Sequence, residues 1–414
     1  MKPWFAVSLA FAMAGTHPVF AQTPDRLPPW IEPLVEDGSV YLDERYRFEY
    51  VDEAGLPKTA KASTLRTRLG VETGELVGFS GKLEFENVSA IGNQLYNSTV
   101  NGQVEYPVVA DPEVTSVNEA YVSFSGLDQT VLRVGREALK IGDERFIGDV
   151  GWRQNNQTYD GVNISTEIIP DTRLFYGYVA RVNRIFGDDS PVGKFDTDLH
   201  LVNLRYAINA QNSVSPYLYL LDIEDAAADS SATVGAQASG GAAVSADVRA
   251  NYDANFAYQT DYADNPVEYS AIYWRGQLGL EAFGLGLSGG FESLGSDDGI
   301  KAFSTPFATL HAWNGWADRF LTVPDGGLHD AYAGASYSIT DIGEYISKVS
   351  SKVVYHYFSS DEGSAKYGDE VDVLLGFDFH RFVSAGVKYA VFESAGFSRS
   401  VDKLIVTIQF HVAT

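Results

Sequence analysis

From residue 39 onward the chain falls into short segments in which apolar and polar side chains take turns, separated by turn-forming residues. A period of two belongs to strands, whose successive side chains point to opposite faces. In one segment Leu65, Thr67, Leu69 and Val71 share a face, and Arg66, Arg68, Gly70 and Glu72 share the other. Farther on, Ile272, Trp274, Leu278 and Leu280 oppose Tyr273, Arg275, Gln277 and Glu281. Near the end Leu404, Val406, Ile408, Phe410 and Val412 oppose Thr407, Gln409 and His411. The segments run over 39–50, 62–73, 77–89, 115–125, 129–137, 157–168, 171–182, 197–208, 213–223, 231–240, 247–260, 268–281, 284–294, 328–340, 348–359, 369–381, 383–393 and 401–412. The pattern is weakest through the Ala, Ser and Gly of 226–250.

The connections alternate in length. Short turns such as Thr73-Gly74-Glu75-Leu76, Gly126-Leu127-Asp128 and Pro170-Asp171 interleave with long stretches at 90–114, 138–156 and 295–327. A soluble sandwich needs no such rhythm, whereas a barrel crossing an outer membrane has short periplasmic turns and long extracellular loops. No stretch offers the roughly 18 continuous apolar residues of a membrane helix. Strands in lipid must pair every N–H and C=O, so the sheet has to close without an edge. The expected fold class is therefore all-β, a transmembrane antiparallel β-barrel of about 18 strands. Its 39 Gly, 24 Tyr and 24 Phe suit that assignment, the aromatic rings at strand ends forming girdles at the two interfaces.

Lys2, the apolar run Phe5 to Ala14 and the small-residue pattern Val19-Phe20-Ala21 form a secretory signal over 1–21, cleaved after Ala21. Residues 22–38, with Pro24, Pro28, Pro29 and Pro33, make a periplasmic N-terminal segment, and 39–414 the barrel. The expected location is the bacterial outer membrane, with lipid and lipopolysaccharide as neighbours.

Several function classes fall away. The chain has no Cys, which removes disulfides, lipid attachment through a thiol and thiol catalysis. A net charge of −25 argues against nucleic acid, which is held by clustered Lys and Arg. His200, His311, His329, His356, His380 and His411 are scattered singly, without metal-ligand spacing or a nucleophile motif. His311, Asp318, His329 and Asp330 do share one loop region, yet no catalytic residue, metal or cofactor is expected.

If the apolar faces meet lipid, the opposite faces line a lumen. Alternation places there Arg45, Arg47, Arg66, Arg68, Lys82, Arg133, Arg173, Arg181, Arg205, Arg275, Lys352 and Lys388. It also places Asp43, Glu49, Glu72, Glu84, Glu86, Glu119, Glu281, Asp372 and Asp378 inward. Two readings stay open: rings of cations that favour anions in a pore, or charges that pair across neighbouring strands. The stretches 145–157 and 307–320 are rich in aromatic and amide side chains and are expected to fold over or into the mouth. Trp152, Gln154, Asn155, Trp313, Asn314 and Trp316 there could stack on sugar rings and bond hydroxyls, or pack the loops onto the wall.

In these segments the chain resembles the alginate-export family of outer-membrane porins. The likeness runs through Ala62-Ser63-Thr64-Leu65-Arg66-Thr67-Arg68-Leu69-Gly70, then Val134-Gly135-Arg136 to Arg145-Phe146-Ile147-Gly148 and Gly151-Trp152-Arg153-Gln154-Asn155. It resumes at Thr305-Pro306-Phe307-Ala308-Thr309-Leu310-His311 and Asn314-Gly315-Trp316-Ala317-Asp318. The resemblance implies an arginine-lined path for an anionic polysaccharide, and it carries that role to Arg66, Arg68, Arg133, Arg136, Arg145 and Arg153. Alternation adds Arg205 and Arg275. The expected function is an outer-membrane channel for anionic small solutes or oligo- and polysaccharide. The alternatives are a porin without sugar specificity and a structural or adhesive barrel without transport. Oligomeric state is open.

Overall fold

The computed structural model describes residues 32–379 and 381–414, so the signal sequence and its cleavage site lie outside the described residues. A short helix, Glu32–Glu36 (α1), precedes the barrel. Its strands are Ser39–Glu53 (β1), Ala60–Glu72 (β2), Phe79–Ala90 (β3), Val114–Leu127 (β4), Thr130–Glu137 (β5), Thr158–Ile169 (β6), Thr172–Asn183 (β7), Lys194–Asn209 (β8) and Asn212–Ile223 (β9). They continue as Ser231–Ala243 (β10), Val248–Asp261 (β11), Ser270–Ala282 (β12), Leu285–Leu294 (β13), Leu328–Thr340 (β14), Lys348–Ser359 (β15), Lys366–Phe379 (β16), Val383–Ser394 (β17) and Val401–Ala413 (β18). Each pairs antiparallel with the next in an 18-stranded sheet. β18 returns to β1 in register from Tyr41 with Ala413 to Glu53 with Val401. Closure leaves no row of unpaired backbone groups to face lipid.

The two faces differ as the alternation requires. Outward residues such as Leu278 (70% exposed) and Phe256 (55%) form an apolar surface that water would penalise and lipid accepts. On the inward face of β1, Asp43, Arg45, Arg47 and Glu49 are all buried. The short turns adopt hairpin geometry: Phe283 and Gly284, between β12 and β13, both have positive φ (52° and 80°), as a two-residue primed turn demands.

Two inward assignments fail, each for a local reason. A bulge between Val179 and Arg181 interrupts the β7–β8 register, and Arg181 pairs with outward Asp196 at 2.8 Å. Arg136 shares its face with Leu132 and Val134, whose partners Ile164 and Val162 point to lipid, and it pairs with Asp160 at 2.6 Å. Arg133, three residues earlier, faces the lumen.

The densest apolar packing lies inside the barrel. The connections 138–157 and 295–327 fold inward and join where the Gly148 N–H donates to the Phe307 carbonyl (2.9 Å). Ile147, Tyr159, Tyr273, Phe303 and Phe307 are fully buried around that junction. Burying these rings offsets the entropy of ordering two long loops.

Candidate functional site

Where the two inward loops meet each other and the wall, nearly every charge has a partner. Arg145, with no exposed surface, donates from Nε to Glu292 on β13 (2.7 Å), from Nη1 to Thr305 (3.0 Å) and from Nη2 to Asn314 (3.3 Å). Asn314 in turn donates to the second Glu292 oxygen at 2.6 Å. Burial opposes the Arg145 charge, but Glu292 outweighs it and the guanidinium pKa is raised. Arg153 reaches Glu49 of β1 (3.2 Å), Asp111 (3.8 Å) and Asp318 (3.6 Å). Lys403 of β18 adds a 2.6 Å contact to Asp318.

The seam between the loops is a stack. Trp152 lies 3.5 Å from His311 between ring centroids with planes 13° apart. Arg153 and Arg47 sit over the Trp152 ring at 4.1 Å and 4.6 Å. Lys388 of β17 sits over Trp316 at 4.7 Å. His311 Nδ1 is 2.8 Å from Asp318 and Nε2 is 3.1 Å from the Lys388 ammonium. An ammonium can only donate, so Nε2 accepts and the proton resides on Nδ1, bonded to Asp318. Burial pushes the His311 pKa down to about 3, so the ring is neutral. Burial works against the Asp318 carboxylate too, yet Lys403, then His311 and Arg153, hold it well below the usual carboxylate range.

The other residues singled out in the sequence separate into three groups. Arg66 is buried and bound to Asp43; Arg68 binds Glu86 at 2.5 Å and Asn156 at 2.7 Å. Arg275 engages Asp253, reaches Asp143 at 2.5 Å and lies 4.4 Å over Trp313. The loop amides are turned inward, contrary to the expected sugar contacts. Gln154 is fully buried, accepting from Arg45 (2.9 Å) and donating to Thr64 (2.9 Å), and Asn155 donates to the Ile185 carbonyl (3.0 Å). Asn314 is held by Arg145 and Glu292 as above, whereas Trp152, Trp313 and Trp316 remain partly exposed.

The third group lines the periplasmic half of the wall. Arg173 of β7 stands directly opposite Arg205 of β8. Arg173 donates to Ser165 (3.0 Å) and has Glu167 only at 3.9 Å, both of that ion pair's side chains being 61% exposed. Arg205 is exposed. Arg133 contacts Ser123 and Glu137, each at 3.3 Å, beside a cavity of about 670 Å³ that Arg173 also lines.

Of His311, Asp318, His329 and Asp330, only His311 and Asp318 bond each other. His329 pairs with Asp361 (2.9 Å) and Asp330 with His356 (2.9 Å), and no metal-holding group of three occurs among the described residues. Lys403, Asp111 and Glu292 were not foreseen as partners. Lys403 and Glu292 lie on inward strand positions that alternation could have supplied, but nothing local marks Asp111.

Residues 39–281, more than half of the chain, match the alginate export family model. The chain belongs to the alginate export family. No curated protein matches it. Among solved structures it is similar to OccK9 (OpdG) of Pseudomonas aeruginosa, with a TM-score of 0.75 and 15% identity, covering 92% of this chain and 100% of that one. OpdK of the same organism, crystallised with vanillate, gives 0.73 and 13% over 92% and 100%. OccAB4 of Acinetobacter baumannii gives 0.72 and 13% over 91% and 98%. At such identities the likeness concerns the fold. This member of the alginate export family is an outer-membrane channel.

Proposed function

We propose that the channel passes small anionic solutes by diffusion, entering or leaving along the exposed arginines of the β5–β8 wall. The observation that carries this is the Arg173–Arg205 pair. Like charges directly opposite on neighbouring strands repel, and here both are inward and poorly neutralised. An anion in the lumen would relieve that repulsion. Arg133 extends the same surface. The buried Arg66, Arg145, Arg153 and Arg275 then act chiefly by holding loops and strands together, and the solute meets the partly exposed rings of Trp152, Trp313 and Trp316 rather than loop amides. Vanillate, an anion, was found with OpdK, which is consistent with this class of solute. Export of the signal-bearing chain with cleavage after Ala21, and contact of the outer loops with lipopolysaccharide, belong to the same reading.

Purified protein in planar bilayers tests it. Channels with a reversal potential favouring chloride in a KCl gradient are expected, and Arg173→Ser with Arg205→Ser should move that potential toward zero. Properly folded, inserted protein that conducts nothing would overturn the reading.

A further inference from the structure

The outer mouth holds a cavity of about 830 Å³, bounded by the loops above the seam and by the outer ends of β1 and β18. It is of the size that small-molecule sites have. Much of its lining is apolar, including Val108, Ile185, Val267, Ile300, Leu321 and Val323.

Its cations are not alike. Arg153 and Lys403 share Asp318, Arg319 pairs with Glu53 at 3.6 Å, and Lys301 donates to the Ala228 carbonyl. Arg184, just beyond the end of β7, forms no ion pair among the described residues. Its Nη1 donates to the Val192 carbonyl (3.3 Å), and its Nε is buried without a hydrogen-bond partner. The guanidinium lies 4.6 Å over Phe195 and 4.9 Å over Phe186. Asp229 also lines the cavity and exerts some attraction, yet burial dominates and the Arg184 pKa is lowered. An arginine in an apolar, half-dry setting with no carboxylate in contact is costly, because a desolvated charge is tolerated when it is closely paired.

We propose that this vestibule is a capture site for small amphipathic monocarboxylates, the carboxylate accepting from Arg184 and the apolar body lying against the vestibule's aliphatic and Phe186 surface. The guanidinium supplies planar donors that match a carboxylate, while its flat faces rest on the rings. A hydrophilic, multiply charged saccharide would find only Arg184 and Lys301 without an ion pair among the described lining residues, set in much apolar surface, and so is selected against. This rests on the channel reading and deepens it by naming the solute class, but binding can be measured without conduction.

The test uses the whole folded protein in detergent with benzoate as probe, followed by calorimetry, with benzamide and acetate as comparisons. Benzoate should bind saturably, and benzamide, lacking the charge, and acetate, lacking the ring, should bind more weakly. Loss of a charge-assisted bond predicts about a tenfold or greater weakening in Arg184→Gln. Arg184→Lys should recover part of it, and Arg181→Gln, on the lipid face, should bind as the natural protein does. Heat-modifiable gel mobility establishes that each variant is folded. Benzoate binding unchanged in folded Arg184→Gln, or equal binding of all three probes, overturns the proposal. Arg184-dependent binding by a protein that forms no channels would sustain the capture site and sink the transport reading. Conduction with Arg184-independent binding would do the reverse.

Discussion

The seam and the β5–β8 wall both carry inward arginines, and they use them in opposite ways. At the seam Arg145 and Arg153 have essentially lost contact with water, and each has a carboxylate at 3.2 Å or closer. On the wall Arg173 is 61% exposed and faces another arginine. The same residue type therefore fastens loops in one place and faces the aqueous lumen in the other. What separates the two is the density of acids arriving from distant segments: Glu49, Asp111, Glu292 and Asp318 converge on the seam, while Glu167 and Glu137 are the acids in contact with the wall arginines.

That contrast is most exposed to attack at Arg145. Arg145→Ala would leave the Glu292 carboxylate buried without its cation, and removing one partner of a buried pair costs about 3–5 kcal/mol. The expected outcome is release of the loop near 138–157, read as a lower urea midpoint for tryptophan fluorescence and a larger, noisier single-channel conductance. The joint replacement Arg145→Met with Glu292→Leu should be far milder, since it leaves no orphaned charge. An equally severe double variant would mean that packing, not pairing, holds the loop.

The seam also has a pH signature. The His311 pKa in the folded protein is about 3, below its ordinary 6.5, so the released loop binds a proton that the closed one refuses. Its contribution to closure is full above pH 6.5 and falls by about 1.4 kcal/mol per pH unit below it, toward pH 3. Asp318, whose pKa is lowered, loses its own contribution only below its ordinary value of 3.8. Between those values, of these two side chains only His311 changes its protonation. Loop-opening events in single-channel records should grow more frequent from pH 7 to pH 5, and that pH dependence should be clearly weaker in His311→Gln.

How far the sequence reaches is visible in these same residues. Every barrel strand was legible, because lipid on one face and polar lumen on the other impose alternation along the whole chain. The inward-folding loops were legible as well, since Trp152, Phe307 and Trp316 are too aromatic for solvated tips. The direction of the loop amides was not. Gln154 faces Thr64 and Arg45, and such partners are distant in sequence. Arg181 and Arg136 show a second limit. One bulge reverses a face, and counting alternate residues back from Arg136 would have excluded it from the face of Arg133. Arg184 escaped notice because what distinguishes it is that no acid comes into contact with it in three dimensions.

On the wall the effects should be smaller and confined to selectivity. Two unit charges about 4 Å apart in water interact by about 1 kcal/mol, so removing an exposed arginine changes an anion's local free energy by no more than that. Arg173→Ser with Arg205→Ser should therefore lower the chloride-to-potassium permeability ratio roughly several-fold, with thermal stability maintained or slightly raised as the repulsion goes. By contrast Arg66→Ser with Asp43→Asn, which removes both members of a mutually cancelling pair, should leave the ratio nearly unchanged. A larger selectivity change in the Arg66–Asp43 double variant than in the wall double variant would invert the division drawn above.

The smallest effect belongs outside the barrel. Arg136 and Asp160 form a half-exposed pair, with 27% and 29% side-chain exposure, on the lipid-facing side near the outer end of β5. Arg136 also donates to the Val117 carbonyl at 3.1 Å, so it ties β4, β5 and β6 together at the rim. Exposed pairs contribute about 0–1 kcal/mol. Arg136→Gln should thus lower the unfolding midpoint slightly and leave both conductance and reversal potential where they were. Being insensitive to function is what its outward position requires. A shift in reversal potential in Arg136→Gln would place that charge within reach of the permeating ion and return it to the lumen that the strand register denies it.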